Sequence, residues 1–305
     1  MTYTIVYTAD LHGNEVQYQK LVAYAQQVRA DSVISGGDIA PKGTTATLSL
    51  QELRERGLPR EAFIAMQRIF LEERLPGLVS PLKEKGIALY LLMGNDDCKT
   101  NGGSLAKRDG DLYFVIDGKR LKLTDDRDIV GYSSVPITPF WIKDWEKFDF
   151  SAVPQSLSKE YNQRKKTNYQ LYGGISTFEG WAPFQFTAEM EKSDSIQKDL
   201  SQELFRQRVE RTVYVMHCPP NRTNLDVITT GEHVGSLAER LFIEEAQPYL
   251  TLHGHIHETV AQSGSFRQDI GNAVCLSPGN HNVGERIALL QFDLYDLKNI
   301  QRIVL

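Results

Sequence analysis

The stretch Thr251-Leu252-His253-Gly254-His255-Ile256-His257 reads as a strand ending in a metal-binding turn. Residues two apart in extended backbone point to one side, so His255 and His257 are expected to present two imidazoles to the same place. Gly254 lets the chain approach that place closely. Imidazole is a common metal ligand, yet a lone His-x-His pair also occurs on surfaces and in cores, so its meaning rests on its company.

Other stretches have the same form. Tyr3-Thr4-Ile5-Val6-Tyr7-Thr8 runs into Asp10-Leu11-His12-Gly13, again ligand types at i and i+2. Ser32-Val33-Ile34-Ser35 leads into Gly36-Gly37-Asp38, and the apolar run from Ile87 to Met93 leads into Gly94-Asn95-Asp96-Asp97. Later, the strand from Thr212 to Met216 delivers His217. Taken singly, Asp10, Asp38 and Asn95 can be turn residues or helix caps, and His217 a core histidine with its hydrogen bonds satisfied. Taken together, ligands at the C-terminal tips of several strands are how open α/β sheets assemble a site.

In order along residues 10 to 257, the motifs D-x-H, G-D, G-N-x-D, a lone His after a strand and G-H-x-H resemble, as a set, those of the calcineurin-like metallophosphoesterases. The runs from Leu92 to Asp97 and from Gly235 to His257 are similar to bacterial phosphoesterases related to the Icc cyclic-nucleotide phosphodiesterase. The resemblance implies an α/β fold, a four-layer αββα sandwich of two mixed sheets with helices outside. It also implies two divalent metal ions, Mn²⁺ foremost, with Fe, Zn²⁺ or Mg²⁺ as alternatives. Asp10, His12 and His257 would hold one ion, Asn95, His217 and His255 the other, and Asp38 would bridge them.

Two such ions about 3.5 to 4 Å apart clamp the attacking and leaving oxygens of a displacement at phosphorus, and bring a bound water to a pKa of about 7. Two carboxylates contribute about −2 against about +4, which leaves about +2 to be met by a hydroxide and an anionic phosphoryl group. The implied activity is metal-dependent hydrolysis of a phosphate ester by a metal-bridging hydroxide. The expected substrate is a small phosphodiester such as a (cyclic) nucleotide. The alternatives are a phosphomonoesterase of the same fold and a metal-bound scaffold without turnover.

The chain departs from the family pattern after Asn95. The superfamily usually has His there, contacting the phosphate and protonating the leaving oxygen; this chain has Asp96. Asn95 and Asp96 are therefore the catalytic candidates, and a carboxyl group serves as an acid only when its pKa is raised. His233, His281, or a leaving group that needs no acid are the other solutions. Asp97 matches the family's acidic position and reads as support behind the ligands. His253 reads either as a partner orienting a ligating imidazole or as a buried structural residue. Cys98 and Cys218 sit beside motif residues, but the set is complete without them and an oxygen-rich site does not select thiolate. Ser236, ahead of Leu237, Leu241 and Phe242, reads as a helix N-cap in preference to an anion site.

The chain has 305 residues, and motifs scattered over most of them must converge, which favours a single domain over 1–305. Its net charge is −5 with both signs mixed throughout, which gives no footprint for long nucleic acid or an anionic membrane. The expected partner is a small phosphorylated substrate. Three cysteines argue for a reducing compartment rather than a disulfide framework. No apolar run approaches the roughly 20 residues of a membrane span, so the expectation is a cytoplasmic protein. Asn221-Arg222-Thr223 matches a glycosylation sequon that such a compartment leaves unused.

Val16, Leu21, Val22, Ala25 and Val28 have near-helical spacing over Glu15 to Arg29. Ala62, Phe63, Met66, Ile69, Phe70 and Leu75 mark a longer amphipathic pattern over Pro59 to Leu82, interrupted at Pro76-Gly77. Leu112 to Ile116, an Asp117-Gly118 turn and Leu121 to Leu123 read as a hairpin. Strands follow around Ala273 to Leu276, Arg286 to Leu294 and Ile300 to Val304.

The stretch at about 136–190 holds all three tryptophans, with many other aromatics and little periodicity. It reads as an insertion: a satellite core under a long connection, a lid, or a surface for a homo-oligomer. Arg164-Lys165-Lys166 within it reads as a solvated face, with a basic lid that recruits a phosphate as the alternative.

Overall fold

The computed structural model describes residues 2–42, 62–281 and 284–305. The strands are β1 (Thr4–Thr8), β2 (Ser32–Gly36), β3 (Ala88–Leu92), β4 (Phe114–Val115), β5 (Arg120–Lys122), β6 (Asp128–Tyr132), β7 (Val135–Pro136) and β8 (Glu146–Lys147). They continue with β9 (Tyr172–Thr177), β10 (Gly180–Gln185), β11 (Thr212–Met216), β12 (Leu250–Leu252), β13 (Arg267–Ile270), β14 (Ala273–Leu276), β15 (Ala288–Asp293) and β16 (Asp296–Val304). Two six-stranded sheets form the body, in the orders β16-β15-β1-β2-β3-β4 and β13-β14-β12-β11-β6-β5. Both are mixed: β1 to β4 run parallel, with β15 antiparallel to β1, and β6, β11, β12 and β14 run parallel, with β5 and β13 antiparallel at the edges.

Strand alternation explains why the central strands carry apolar residues on both faces. Ile5 and Tyr7 of β1, Ile34 of β2, and Tyr90 and Leu92 of β3 meet Val213, Val215, Leu250 and Leu252 of the second sheet in one core between the sheets. The intervening residues Val6, Val33, Leu89 and Leu91 face outward into a second core with Tyr18, Leu21, Val22 and Ala25 of the helix Glu15–Gln27 and with Leu75, Val79 and Leu82 of the helix Leu75–Glu84. Tyr214 and Met216 face a third core with Leu237, Phe242 and Ile243 of the helix Leu237–Ala246. A strand covered on both faces has no polar side to present, hence the unbroken hydrophobic runs. The order helix, sheet, sheet, helix is the four-layer αββα sandwich.

Two local expectations are corrected. Residues 112–123 are not a hairpin: β4 pairs with β3 in the first sheet and β5 with β6 in the second. The Asp117-Gly118 turn carries the chain between sheets, which alternation along each strand could not reveal. Pro76-Gly77 does not interrupt its helix. Phe63–Ile69 passes through a π-helical turn, Phe70–Arg74, into Leu75–Glu84, where Pro76 occupies the first turn and needs no N–H partner. The start of that pattern, residues 59–61, lies outside the described residues. Strands β6 to β10 and β13 are additions to the sequence reading.

The aromatic stretch has structure of its own. Ile137, Phe148 and Phe186 form a small separate core, backed by Tyr169, Phe184 and Met190. Trp145 joins the second core, on the outer face of the first sheet, and its Nε1–H donates to the Asp97 carbonyl at 2.7 Å. Phe140, Trp141, Tyr172 and Phe178 remain exposed. Arg164 also corrects the sequence reading, because it is not on a solvated face. It is buried, donating to the carbonyls of Gly235 at 2.7 Å and Val234 at 2.9 Å. Among the described residues, no helix is long and apolar enough to cross a membrane.

Candidate metal centre

The candidate ligands follow the C-terminal ends of adjacent parallel strands, but not in extended geometry. β1 ends at Thr8, β2 at Gly36 and β12 at Leu252; beyond them Asp10, His12, Asp38 and His255 have φ of 59°, 45°, 50° and 64°. Side-chain alternation along a strand is therefore not what aims His255 and His257, nor Asp10 and His12. These four are half of the eight non-glycine described residues with positive φ, a backbone state that costs of order 1–3 kcal/mol each and persists only where the surroundings enforce it. Backbone bonds between the turns do so: Asp10 N–H to Gly37 O (3.0 Å), His12 N–H to Asp38 O (2.8 Å), and Gly254 N–H to His217 O (2.9 Å).

Two groups of side chains converge on one carboxylate. Asp38 Oδ2 lies 3.8 Å from His12 Nε2 and 3.5 Å from His217 Nε2. On the first side His12 Nε2 faces His257 Nε2 at 3.2 Å, and His257 Nε2 is 3.8 Å from Asp10 Oδ1. Ligand atoms of Asp10, His12, Asp38 and His257 all lie within 4.8 Å of one another. On the second side Asn95 Oδ1 stands 3.0 Å from His217 Nε2 and 2.6 Å from His255 Nδ1. All seven candidates thus meet, in two sets that share Asp38. The turn residues are glycines of necessity: a Cβ on Gly94 would collide with Asp38 Oδ1, and one on Gly37 with His217 Nδ1.

The donor set fits divalent cations. Burial lowers His12 to about 4 and, with His217 nearby, His255 to about 3, so both imidazoles are neutral at pH 7. Burial also opposes the charged form of His217, but Asp38 outweighs it and raises His217 to about 9. Asp38 is held far below the usual carboxylate range, since its burial is outweighed by His217, His12 and the Asp96 N–H. A divalent cation held by these groups would supply the positive charge that the His217 proton now supplies to Asp38.

The supporting residues act through backbone. Asp97 accepts from the N–H groups of Ile39 (3.0 Å), Ala40 (2.8 Å) and Gly94 (2.9 Å), tying the turn after β2 to the turn after β3; burial and Asp38 push it up to about 8. His253 touches no candidate ligand ring. Its Nδ1 faces the carbonyls of Met216 (3.0 Å) and Cys218 (2.7 Å) on either side of His217, and its Nε2 faces Thr251 Oγ1 at 2.8 Å. His217 is oriented by the Gly36 carbonyl, 2.8 Å from its Nδ1.

The ligand cluster opens into a cavity of about 230 Å³. Asp38, Asn95, Asp96, His255 and His257 line one end, and Ile137, Pro139, Phe140, Ile228 and Val234 are among its apolar lining. Neither His233 nor His281 lines it: His233 Nδ1 pairs with Asp226 at 2.7 Å, and His281 borders another depression. Cys98 and Cys218 are buried with their thiols pushed up, first by burial. Ser236 is an N-cap, accepting from Glu239 N–H at 3.1 Å. Asn221 is buried, its amide donating to Asp226 at 3.2 Å, so the sequon is not presented. Two residues that carried no sequence signal are Lys42, whose Nζ is 2.6 Å from Asp96 Oδ2, and Gln67, which bonds the Asp96 carbonyl at 2.7 Å.

No family model matches the sequence, and no curated protein is similar to it at a significant level. Solved structures do match. One crystal structure is 13% identical over 99% of both chains, with a TM-score of 0.59. TT1561 of Thermus thermophilus is 12% identical over 99% of this chain and 98% of its own, with a TM-score of 0.52. A dimetal phosphatase from Danio rerio is 12% identical over 99% of this chain and 98% of its own, with a TM-score of 0.50. At these identities the likeness is one of fold, the four-layer αββα sandwich described above.

Proposed function

We propose that this chain is a dinuclear-metal phosphoesterase that hydrolyses a small phosphodiester, a (cyclic) nucleotide or a molecule of similar size. The observation that carries the reading is the position of Asp38 Oδ2 between two separate sets of ligand atoms, 3.8 Å from one imidazole and 3.5 Å from another. The fold shared with a dimetal phosphatase supports it. Asp10, His12 and His257 would hold one ion, Asn95, His217 and His255 the other, and Asp38 both; Mn²⁺ is the first choice for this mix of oxygen and imidazole donors. When bound, such a pair supplies Lewis acidity toward a phosphoryl oxygen and lowers the pKa of bound water.

The chain's own residues set the geometry around that chemistry. Asn95 turns its amide oxygen to His217 and His255, which leaves its NH₂ group, 3.5 Å from Asp96 Oδ1, as a donor at the cavity. A donor fixed before reaction stabilises charge on a phosphoryl oxygen without reorganisation. Asp96 lines the same end. Burial and Asp38 push its carboxyl up, but Lys42 opposes them from 2.6 Å, so the reading favours leaving groups that need little protonation. The apolar lining beyond gives room for the second ester substituent, which a monoester would leave unfilled.

The test is a comparison of an aryl phosphodiester with the matching monoester on Mn²⁺-loaded protein. Faster cleavage of the diester is expected. A monoester turned over much faster would overturn the substrate preference, and metal bound without turnover of any ester would favour a scaffold.

A further inference from the structure

A cation at the open side of the ligand cluster is given no contact with substrate in the reading above. Lys42 follows Pro41 in the loop after Asp38, and its Nζ lies 2.6 Å from Asp96 Oδ2. One buried side chain brings the two backbones together: Gln67 Nε2 donates to the carbonyls of Pro41 (3.0 Å) and Asp96 (2.7 Å), while Gln67 Oε1 accepts from Cys98 N–H at 2.7 Å. Pro41 packs on Gly13, where a Cβ would come within 2.5 Å of its ring. Asp96 is fixed from the other side too, its N–H donating to Asp38 Oδ1 at 2.8 Å. The backbone that carries each partner is therefore placed by contacts that do not depend on the ion pair.

The pair has an inner and an outer member. The side chain of Asp96 is 13% exposed and that of Lys42 45%, and both line the cavity with Asp38, Asn95, His255 and His257. An ion pair that is open to water on one side adds little to stability, so the arrangement is better understood as fixing where the ammonium stands. Among the described residues the other cation lining the cavity, Arg164, is committed to the carbonyls of Gly235 and Val234. Among them Lys42 is thus the cation on the phosphoryl side.

We propose that Lys42 contacts the substrate, its ammonium taking a non-bridging oxygen of the phosphoryl group at the candidate metal centre, and that Asp96 is the residue that positions it. The proposal rests on the phosphoesterase reading above. No bond to Lys42 forms or breaks in this role; the residue supplies a fixed charge. An ammonium carries three N–H donors that rotate about its stem, so a bond to Asp96 is compatible with a bond to phosphate. Before substrate enters, Asp96 offsets the charge.

The test uses the full chain loaded with Mn²⁺ and inorganic phosphate as the probe. Metal content, phosphate affinity by calorimetry, and KM and kcat on an aryl phosphodiester are measured for the unaltered protein, Lys42→Met, Lys42→Arg and Asp96→Asn. All four are expected to hold the same metal. Lys42→Met should bind phosphate roughly 10- to 100-fold more weakly, the range for losing a charge-assisted hydrogen bond. Lys42→Arg should stay within a few fold of the unaltered protein, and Asp96→Asn should fall between the two. Full metal content with unchanged phosphate affinity in Lys42→Met would overturn the proposal alone. Weaker binding by Asp96→Asn than by Lys42→Met would overturn it by putting Asp96 itself on the substrate. An unaltered chain that holds neither metal nor phosphate would overturn both readings.

Discussion

His217 Nε2 lies 3.5 Å from Asp38 Oδ2 with both side chains buried, and the two come from different sheets. One carboxylate thereby joins the two halves of the sandwich at their facing edges. Asp38→Ala removes the oxygen shared by both ligand sets. Even a residue behind the ligands costs roughly 10- to 100-fold in metal affinity or activity when lost, so a larger loss of both is expected here. Elemental analysis beside a turnover assay measures it, and a variant with full metal content would refute the shared-ligand assignment.

The same pair gives the metal-stripped protein an alkaline limit. His217 is raised from 6.5 to about 9 by Asp38 against the effect of burial. A raised folded-state pKa means that this contribution is full below about pH 6.5 and is lost as pH rises through about 9. His253 has the opposite sign: burial lowers it from 6.5 to about 4, so its contribution is present above about 6.5 and lost as pH falls toward 4. His12 and His255, lowered to about 4 and about 3, add to that acid loss. Denaturant midpoints measured in chelator should therefore fall on both sides of about pH 6.5. Asp38→Asn should flatten the alkaline side, and His253→Gln should relieve part of the acid side.

The candidate cluster is legible in the sequence because each member closes an apolar strand that must lie inside the sandwich. Its geometry is not legible. Positive φ at Asp10, His12, Asp38 and His255 replaces the two-residue alternation that the sequence suggests, and only the packing of one turn on another enforces it. The edge strands show the same limit, since residues 114–115 and 120–122 satisfy a hairpin pattern equally well while pairing in different sheets. Arg164 in a basic run and Lys42 after Pro41 carry no periodic signal; their places follow from tertiary contacts with Gly235 and Asp96.

Gly94→Ala tests whether the close approach of the turns is a requirement of the site. The new Cβ would collide with Asp38 Oδ1 and would meet His217 Cε1 at 2.7 Å, and neither buried group has room to retreat. Relief by a shift of Asp38 separates the two ligand sets. Metal stoichiometry is expected to fall while the far-ultraviolet circular dichroism stays that of the folded protein. Normal metal content in this variant would mean that the turns approach less closely than described.

Lys143→Met tests the wall of the cavity. Lys143 Nζ is 2.7 Å from Glu146 Oε2 and 3.0 Å from the Thr138 carbonyl, and Glu146 also accepts from Thr138 N–H at 3.1 Å. The pair thus fixes the Pro136–Phe140 segment that borders the cavity. Burial pushes Glu146 up to about 7 even with Lys143 opposing it, so removing the ammonium leaves a buried carboxylate without its counter-ion, at a cost of roughly 3–5 kcal/mol. Because the folded-state pKa is raised, the deficit should be larger at about pH 8 and should shrink as acidification neutralises Glu146. Adding Glu146→Gln should recover most of the loss, since removing both charges leaves no unpaired ion. If the wall orients the second ester substituent, Lys143→Met should also raise KM for a diester more than it lowers kcat. A single variant within about 1 kcal/mol of the unaltered protein at about pH 8 would show that the pair is solvated and does not hold the wall.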